Sequence, residues 1–353
     1  MTRISNLLPT MTALSSAVPP LSFVQDEIWD SFFSSWYKDK VPDSATLARQ
    51  TRVRRRHMAW DPSREVGMTG RGTGDRMKAF ANAVETVAAE AVEGVFDRVA
   101  PDNVGSLVMA SCTGYCGPTP DYLVARKLGM RTDLRRTFIG HMGCFAAFNV
   151  LKTAIDSVTA RPNEVTVGLC AEFSSLQFRP EPSREQAVIH ALFGDAAAAF
   201  SLEMREPGHG PQILATHTQQ SYETAEMMTW SVLDDGFRMT LSPYVPFVLA
   251  GGIEAFVEEL CRKAGVAREE VKHWAIHPGG PKIVEMVAQK LGITERQLEA
   301  TWHVLSEYGN CSSATVLMVL KRLIEADRPQ PGELGVMMAF GPGLTMESAL
   351  VRF

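Results

Sequence analysis

The chain predicts an α/β fold of five stacked layers, made of two duplicated halves. Three observations carry this expectation. Short apolar runs, such as residues 104–111 and 165–172, alternate with segments of helical period, such as residues 75–99. The second half repeats that order of elements without obvious sequence identity. The one Gly/Pro-rich break between them, Pro207-Gly208-His209-Gly210-Pro211, is too short for a flexible linker, so the halves (1–205 and 206–353) are fused.

Taken in order, residues 24–58 read as helical and end in a basic run, Arg49, Arg52, Arg54, Arg55 and Arg56. Residues 75–99 show a helical period rich in Ala, Val and Glu, and 104–111 a short buried strand. A helix over 121–128 is stopped by Gly129, and residues 136–139 form a strand. Residues 145–158, with Ala, Phe, Val, Leu and Ile recurring, read as a buried helix, and 165–172 is again a strand. In the second half, helices are predicted over 254–264, 282–291 and 312–326. Strands are predicted over 271–277, 336–340 and 348–353.

With 353 residues and 45% hydrophobic content the chain buries a large core, and 21% charged residues without a low-complexity tract excludes disorder as its theme. A net charge of -5 and a pI near 6.0 argue against nucleic acid as a partner. No apolar stretch has the length of a membrane span. The opening segment, with Arg3, is broken by Pro9, Pro19 and Pro20 and does not read as a signal peptide. Six cysteines without regular spacing fit reduced thiols in a cytoplasm.

Three Gly/Ser-rich turns carry the chemistry. Cys144 lies in Gly140-His141-Met142-Gly143-Cys144-Phe145-Ala146, between a strand and a buried helix. A helix N-terminus favours the thiolate, and an imidazole beside it lowers the thiol pKa further. His277, ending a strand before Pro278-Gly279-Gly280, fits that partner. Asn310, in Leu305-Ser306-Glu307-Tyr308-Gly309-Asn310-Cys311-Ser312, is an amide donor without acid or base function. An acyl-carrying Cys with His and Asn as oxyanion donors describes decarboxylative Claisen condensation of thioesters. Singly, each residue has a plainer reading: inert buried thiol, core histidine, helix N-cap. Their combination resists it.

Metal binding is set aside. His273 and His277, and Cys112 and Cys116, are four apart, yet neither pair has a further ligand at suitable spacing. No cofactor motif is present either, since Gly341-Pro342-Gly343 lacks the Lys-Ser/Thr of a phosphate-cradling loop.

From Val104 to Phe353 the chain resembles the type III polyketide synthases, the chalcone/stilbene synthase family of the thiolase superfamily. The matching runs are Gly143-Cys144-Phe145-Ala146, Ala191-Leu192-Phe193-Gly194-Asp195-Ala196-Ala197-Ala198, Ile276-His277-Pro278-Gly279-Gly280-Pro281, the run through Asn310 to Ser313, and Phe340-Gly341-Pro342-Gly343-Leu344-Thr345-Met346-Glu347. The resemblance implies a thiolase-type αβαβα fold, a homodimer, and Cys144, His277 and Asn310 as catalytic residues. It makes Phe178 and Ser312 cavity neighbours and Gly341, Pro342 and Gly343 part of the cavity wall.

Departures from the family pattern sharpen the reading. The aromatic gates between tunnel and cavity correspond here to Leu214 and Met239, which admit a bulkier chain. Gly117 stands where many members place a Met that reaches across the dimer. The basic residues that hold coenzyme A phosphates correspond to Pro42, Ala45 and Arg49. The cluster Arg49, Arg52, Arg54, Arg55 and Arg56 then reads either as a docking face for coenzyme A or an acidic acyl carrier protein, or as a solvated charge run. These departures resemble a bacterial branch of stand-alone ketosynthases that join two carrier-bound chains into an α-pyrone, of the myxopyronin and corallopyronin type. Two other readings stay open: a ketoacyl-synthase-III-like enzyme that condenses once, and a non-catalytic dimeric scaffold.

Overall fold

The computed structural model describes residues 7–62 and 70–353; Arg3 lies outside them. Its strands are β1 (Leu8–Ala17), β2 (Leu21–Val24), β3 (Arg55–Met58), β4 (Val104–Ser111), β5 (Arg135–Gly140), β6 (Val165–Phe173) and β7 (Asp195–Arg205) in the first half. The second half adds β8 (Gln212–Gln220), β9 (Met228–Leu233), β10 (Gly236–Leu241), β11 (Val271–Ile276), β12 (Leu334–Gly341) and β13 (Thr345–Arg352). A nine-stranded sheet runs in the order β11-β12-β13-β8-β1-β7-β6-β4-β5, and β9-β10 and β2-β3 form separate pairs.

That sheet is two half-sheets meeting at one edge. Between β1 and β8 the ladder narrows to Thr10 opposite Gln212, with Met11 N donating to Pro211 O at 2.9 Å. In each half, neighbouring strands run parallel where a helix crosses between them: β4 with β5 and β6, and β11 with β12.

Two helices, Ala146–Ala160 and Ala314–Asp327, fill the space between the half-sheets. Their buried sides go nearly all round, from Ala146, Phe148, Val150 and Leu151 in one to Val316, Leu317, Met318 and Val319 in the other. A helix with so wide an apolar face is buried between layers, its few polar side chains such as Lys152 and Lys321 being taken up in ion pairs. They share one hydrophobic cluster with Val108, Cys170 and Ala198 of the first half-sheet and Ala275, Met337 and Ala349 of the second. Outside the first half-sheet, Thr73–Ala83 and Ala89–Phe96 bury Phe80 and Val92 against Leu107 and Phe173. Outside the second, Val245–Ala264 and Pro281–Leu291 bury Leu249, Phe256 and Val284 against Ile276 and Leu350. The layers therefore alternate helix, sheet, helix, sheet, helix, as expected.

Three differences from the sequence reading have physical causes. Residues 24–58 are not helical throughout: helix Ser44–Gln50 is followed by β3, where Arg55 is exposed and Arg56 fully buried, the period of a strand. The helix expected from residue 254 starts at Val245, with Pro246 in its first turn. Strand β7 was not anticipated because Ala196, Ala197, Ala198 and Ala199 are buried on both faces and show no alternation. No helix among the described residues is long and apolar enough to cross a membrane.

The central helices set the spacing of the layers, so truncation there is expected to be expensive. Leu317→Ala should lower unfolding stability by about 2–5 kcal/mol in urea titration, whereas Lys321→Ala, on an exposed ion pair of the same helix, should stay within about 1 kcal/mol.

Candidate active site

Cys144 sits in the turn that opens helix Ala146–Ala160, and that turn is shaped by close packing. Gly143 has φ 88, and a Cβ there would lie 2.3 Å from Pro342 Cδ. Only glycine satisfies both demands. A Cβ on Gly341 would meet the Phe145 ring at 2.7 Å, so the Gly341-Pro342-Gly343 loop lies directly on the cysteine turn. From the other side Gly143 N donates to Cys112 Sγ at 2.9 Å.

Asn310 is held by its backbone and by its own side chain. Gly309, at φ 73, brings the chain within 2.7 Å of Leu192 O as measured from an added Cβ. A parallel bridge then joins Asn310 to Phe193, with Asn310 N donating to Leu192 O at 2.8 Å and Gly194 N donating to Asn310 O at 3.0 Å. Ser312 N donates to Asn310 Oδ1 at 2.8 Å, which fixes the amide plane and leaves its N–H donors free for the site. The Asn310 and Ser312 side chains lie close enough to Cys144 to favour its thiolate.

His277 follows β11, its N–H donating to Met338 O at 2.9 Å. Its ring is fully buried, and neither ring nitrogen has a hydrogen-bond partner among the described residues. The next turn, Gly279-Gly280, lines a surface cleft of about 830 Å³ together with Leu192, Thr51 and Pro281.

The electrostatics are dominated by burial. It pushes the Cys144 thiol up to about 12, against the lowering effect of Ser312 and Asn310 and with Glu172 adding to the rise. It pushes the His277 imidazole down to about 3. The thiolate expected from the helix N-terminus is thus disfavoured as a lone charge, because desolvation outweighs the dipole. Sequence reasoning passed over Glu172, a fully buried carboxylate raised by desolvation. It accepts from Cys112 N at 2.9 Å, Thr113 Oγ1 at 3.0 Å and Ser313 Oγ at 2.5 Å.

Two small hollows lie in the interior near the cysteine, and Cys144 lines the first. One of about 30 Å³ is lined by Cys112, Cys144, Phe193, Trp230, Met239, Ser312 and Pro342. A second, of about 20 Å³, shares Ser174, Phe193, Trp230 and Met239 with the first and continues to Phe178, Arg179 and His190. Among the described residues no group of three His, Cys, Asp or Glu side chains gathers as a metal site would require.

Comparison with known proteins decides the lineage. The profile described as "Chalcone and stilbene synthases, N-terminal domain" matches residues 2–203, and its C-terminal counterpart matches 213–353. The chain belongs to the chalcone and stilbene synthase family. Among similar proteins, a 3,5-dihydroxyphenylacetyl-CoA synthase of Streptomyces toyocaensis is 30% identical over 98% of this chain and 90% of its own length. The alpha-pyrone synthesis polyketide synthase-like Pks18 of Mycobacterium tuberculosis is 30% identical over 92% of this chain and 85% of its own. The crystal structure of PKS-I from the brown alga Ectocarpus siliculosus superposes with a TM-score of 0.91 at 28% identity, covering 98% of each chain. As a member of this family the protein is a polyketide-forming condensing enzyme, an acyltransferase with the thiolase-like fold.

Within this chalcone and stilbene synthase scaffold, some expected positions move. Met239 lines both hollows, but Leu214 does not face them. It lies on β8 and turns to a different cleft, with Leu8, Lys263 and Val266, because its side of the strand packs on the end of helix Val245–Ala264. The residue opposite Met239 is Phe193, whose position at the joint between helix Arg184–Leu192 and β7 was the available signal. Phe178 is buried in an aromatic cluster, 4.9 Å from His190, and touches only the second hollow.

The basic run disperses as well. Arg49 pairs with Asp26 at 3.3 Å, and Arg54 and Arg55 approach Glu307 at 3.5 and 3.8 Å. Arg56 is fully buried, donating to the carbonyls of His190 and Phe193, so it belongs to the core and not to a docking face. Arg52 alone of the five lines the cleft, joined by Arg184 and Lys282.

Two predictions follow from this packing. Gly143→Ala drives a methyl into Pro342 at a left-handed φ, so it should destabilise the fold by about 1–3 kcal/mol and slow labelling of Cys144, read by calorimetry and thiol mass spectrometry. In pH dependence, His190 and His277 are both held down to about 3 by burial, below the unfolded value of 6.5. The unfolded chain then binds more protons, so stability is full above about 6.5 and falls on acidification toward about 3. Asp195, raised by burial to about 6, works in the opposite sense as pH falls from about 6 to its unfolded 3.8. Chemical denaturation between pH 7 and 4 should therefore show a net loss, shallower in His277→Gln; a flat profile would contradict the buried neutral histidines.

Proposed function

We propose that Cys144, His277 and Asn310 carry out decarboxylative Claisen condensation of thioesters. The observation that carries this is the placing of Cys144 and Ser312 on one small apolar hollow, with Ser312 and Asn310 both acting to lower the thiol pKa against burial. Each buried charge is costly alone, but moving the thiol proton to His277 leaves the site neutral. The sulfur attacks the acyl thioester carbonyl, the S–C bond to the carrier thiol breaks, and that thiol takes the proton. A malonyl thioester then loses CO₂, and the electron pair moves onto its thioester oxygen, held by the Asn310 amide and the His277 imidazole. The enolate carbon attacks the acyl-Cys144 carbonyl; a C–C bond forms, the C–S bond breaks, and the sulfur leaves as a thiolate that takes a proton from solvent. Closure to an α-pyrone is attack of a chain enol oxygen on the thioester carbonyl, releasing the carrier thiol.

Both thioesters arrive on a pantetheine arm, of coenzyme A or of an acyl carrier protein. The 830 Å³ cleft bounded by Gly279-Gly280 supports this as the entry. Of the cations there, Arg52 already pairs with Glu285 at 2.8 Å and Arg184 with Asp43 at 2.7 Å, which weakens the case for nucleotide phosphates. The joining of two carrier-bound chains into a pyrone is the product class we favour. A homodimer is supported by the outer edge of β5, which pairs only with β4. The functional halves are 1–205, with the cysteine, and 206–353, with His277 and Asn310. One observation favours a second reading, a single condensation releasing a β-keto thioester: the hollow lined by Cys144 measures only about 30 Å³, and the one next to it about 20 Å³.

The test is intact-protein mass spectrometry after incubation with acyl-coenzyme A and, separately, with acyl-loaded carrier protein. An acyl adduct that disappears in Cys144→Ala is expected, and the donor that gives it identifies the delivery. Asn310→Ala should keep the adduct while lowering condensation by about 10²–10³-fold, the usual effect of losing one oxyanion donor. Absence of any adduct would overturn Cys144 as the acyl carrier.

A further inference from the structure

Trp230 divides the interior beyond the cysteine. It lines both hollows, and it is pinned at two points: its indole N–H donates to Cys112 O at 2.6 Å, and its carbonyl accepts from His141 Nε2 at 2.9 Å. On the Cys144 side the walls are mainly apolar. On the far side stands Arg179, whose Nη2 reaches Asp235 at 3.0 Å while Nε and Nη1 are buried without a hydrogen-bond partner. Buried donors left unmade are costly, and guanidinium donors more so than neutral ones.

The surroundings make that compartment cationic. Burial, and after it the charges of Arg56, Arg179 and Arg76, hold the His190 imidazole down to about 3. The carboxylates of the region are engaged elsewhere or face solvent: Glu181 binds Arg238 at 2.6 Å, Asp195 accepts from Ser175 and Ala59, and Asp235 is 55% exposed. The neighbouring amides are used as well, Gln177 donating to Thr113 O and Gln186 to Met239 O. Arg179 is thus the one lining side chain with buried, unpartnered N–H donors among the described residues of that wall.

Resting on the reading that Cys144 carries the acyl group, we propose that the far end of the chain passes Trp230 into this compartment, where Arg179 selects chains that end in a carboxylate. A guanidinium offers the planar paired donors a carboxylate accepts. Trp230 sets how much chain crosses.

The experiment measures the rate of Cys144 acylation by intact mass, using N-acetylcysteamine thioesters, which mimic the pantetheine end without nucleotide or protein. Hexanoyl and adipoyl groups are matched in length and differ only in the terminal carboxylate. Wild type should favour adipoyl, and Arg179→Met should lower the adipoyl rate by about tenfold or more while moving the hexanoyl rate less than about twofold. Asp235→Asn removes the ion pair but keeps the guanidinium and should retain the preference, which separates recognition from a structural role. Trp230→Ala should extend the longest acyl chain accepted. If Arg179→Met does not fold, Arg179→Lys keeps charge without the planar fork and should show the same loss in smaller degree. Equal rates for both thioesters in wild type and Arg179→Met overturn the proposal and leave a buried water as the partner of Arg179. Acylation by neither thioester in wild type overturns it together with the acyl-Cys144 reading.

Discussion

The buried carboxylate of Glu172 is the joint on which the site depends. It stands at the end of β6 and accepts from Cys112 N on the loop after β4, and from Ser313 at the head of helix Ala314–Asp327 in the other half of the chain. One charged side chain thereby fixes the Cys112 turn, which holds Gly143, against the turn that carries Asn310 and Ser312. A carboxylate so deeply buried persists only because every nearby partner donates to it.

Around that joint, precision comes from absent side chains as much as present ones. Gly143 lets Pro342 approach the cysteine turn, and Gly309 lets Asn310 bridge to Phe193. Both glycines adopt left-handed backbone that a larger residue would strain. The hollow lined by Cys144 is small because Trp230, Phe193 and Met239 close in from three elements. The turns carrying Cys144 and Ser312 come from opposite halves, so the αβαβα arrangement is what brings them to one hollow.

Much of the fold was legible because strands β4, β6 and β11 are bounded by clear turns and the central helices are rich in apolar residues. What escaped was tertiary in origin. The small-residue run of β7 carries no period, and the arginine run around β3 reads as surface until Arg56 is seen to satisfy two buried carbonyls. Cys144, Asn310 and Ser312 were legible because glycine-rich turns announce backbone held in unusual conformations. Leu214 was misplaced by a register that chain spacing alone does not determine. Phe193 was in plain view within a quoted run, yet nothing local separates a gate from a core aromatic. Glu172, Arg179 and Trp230 are ordinary residues in sequence; only long-range contacts give them roles.

The bridge between Asn310 and Phe193 ties the width of the passage to the alignment of the amide. Phe193 cannot swing its backbone aside without pulling on the residue that would steady the developing oxyanion. A chain too broad for the passage is therefore not simply held out. It can enter and be bound, but with Asn310 displaced, and the penalty falls on turnover, visible as a lower kcat at little change in KM. Discrimination of this kind is exercised after binding, by a substrate spoiling its own catalyst.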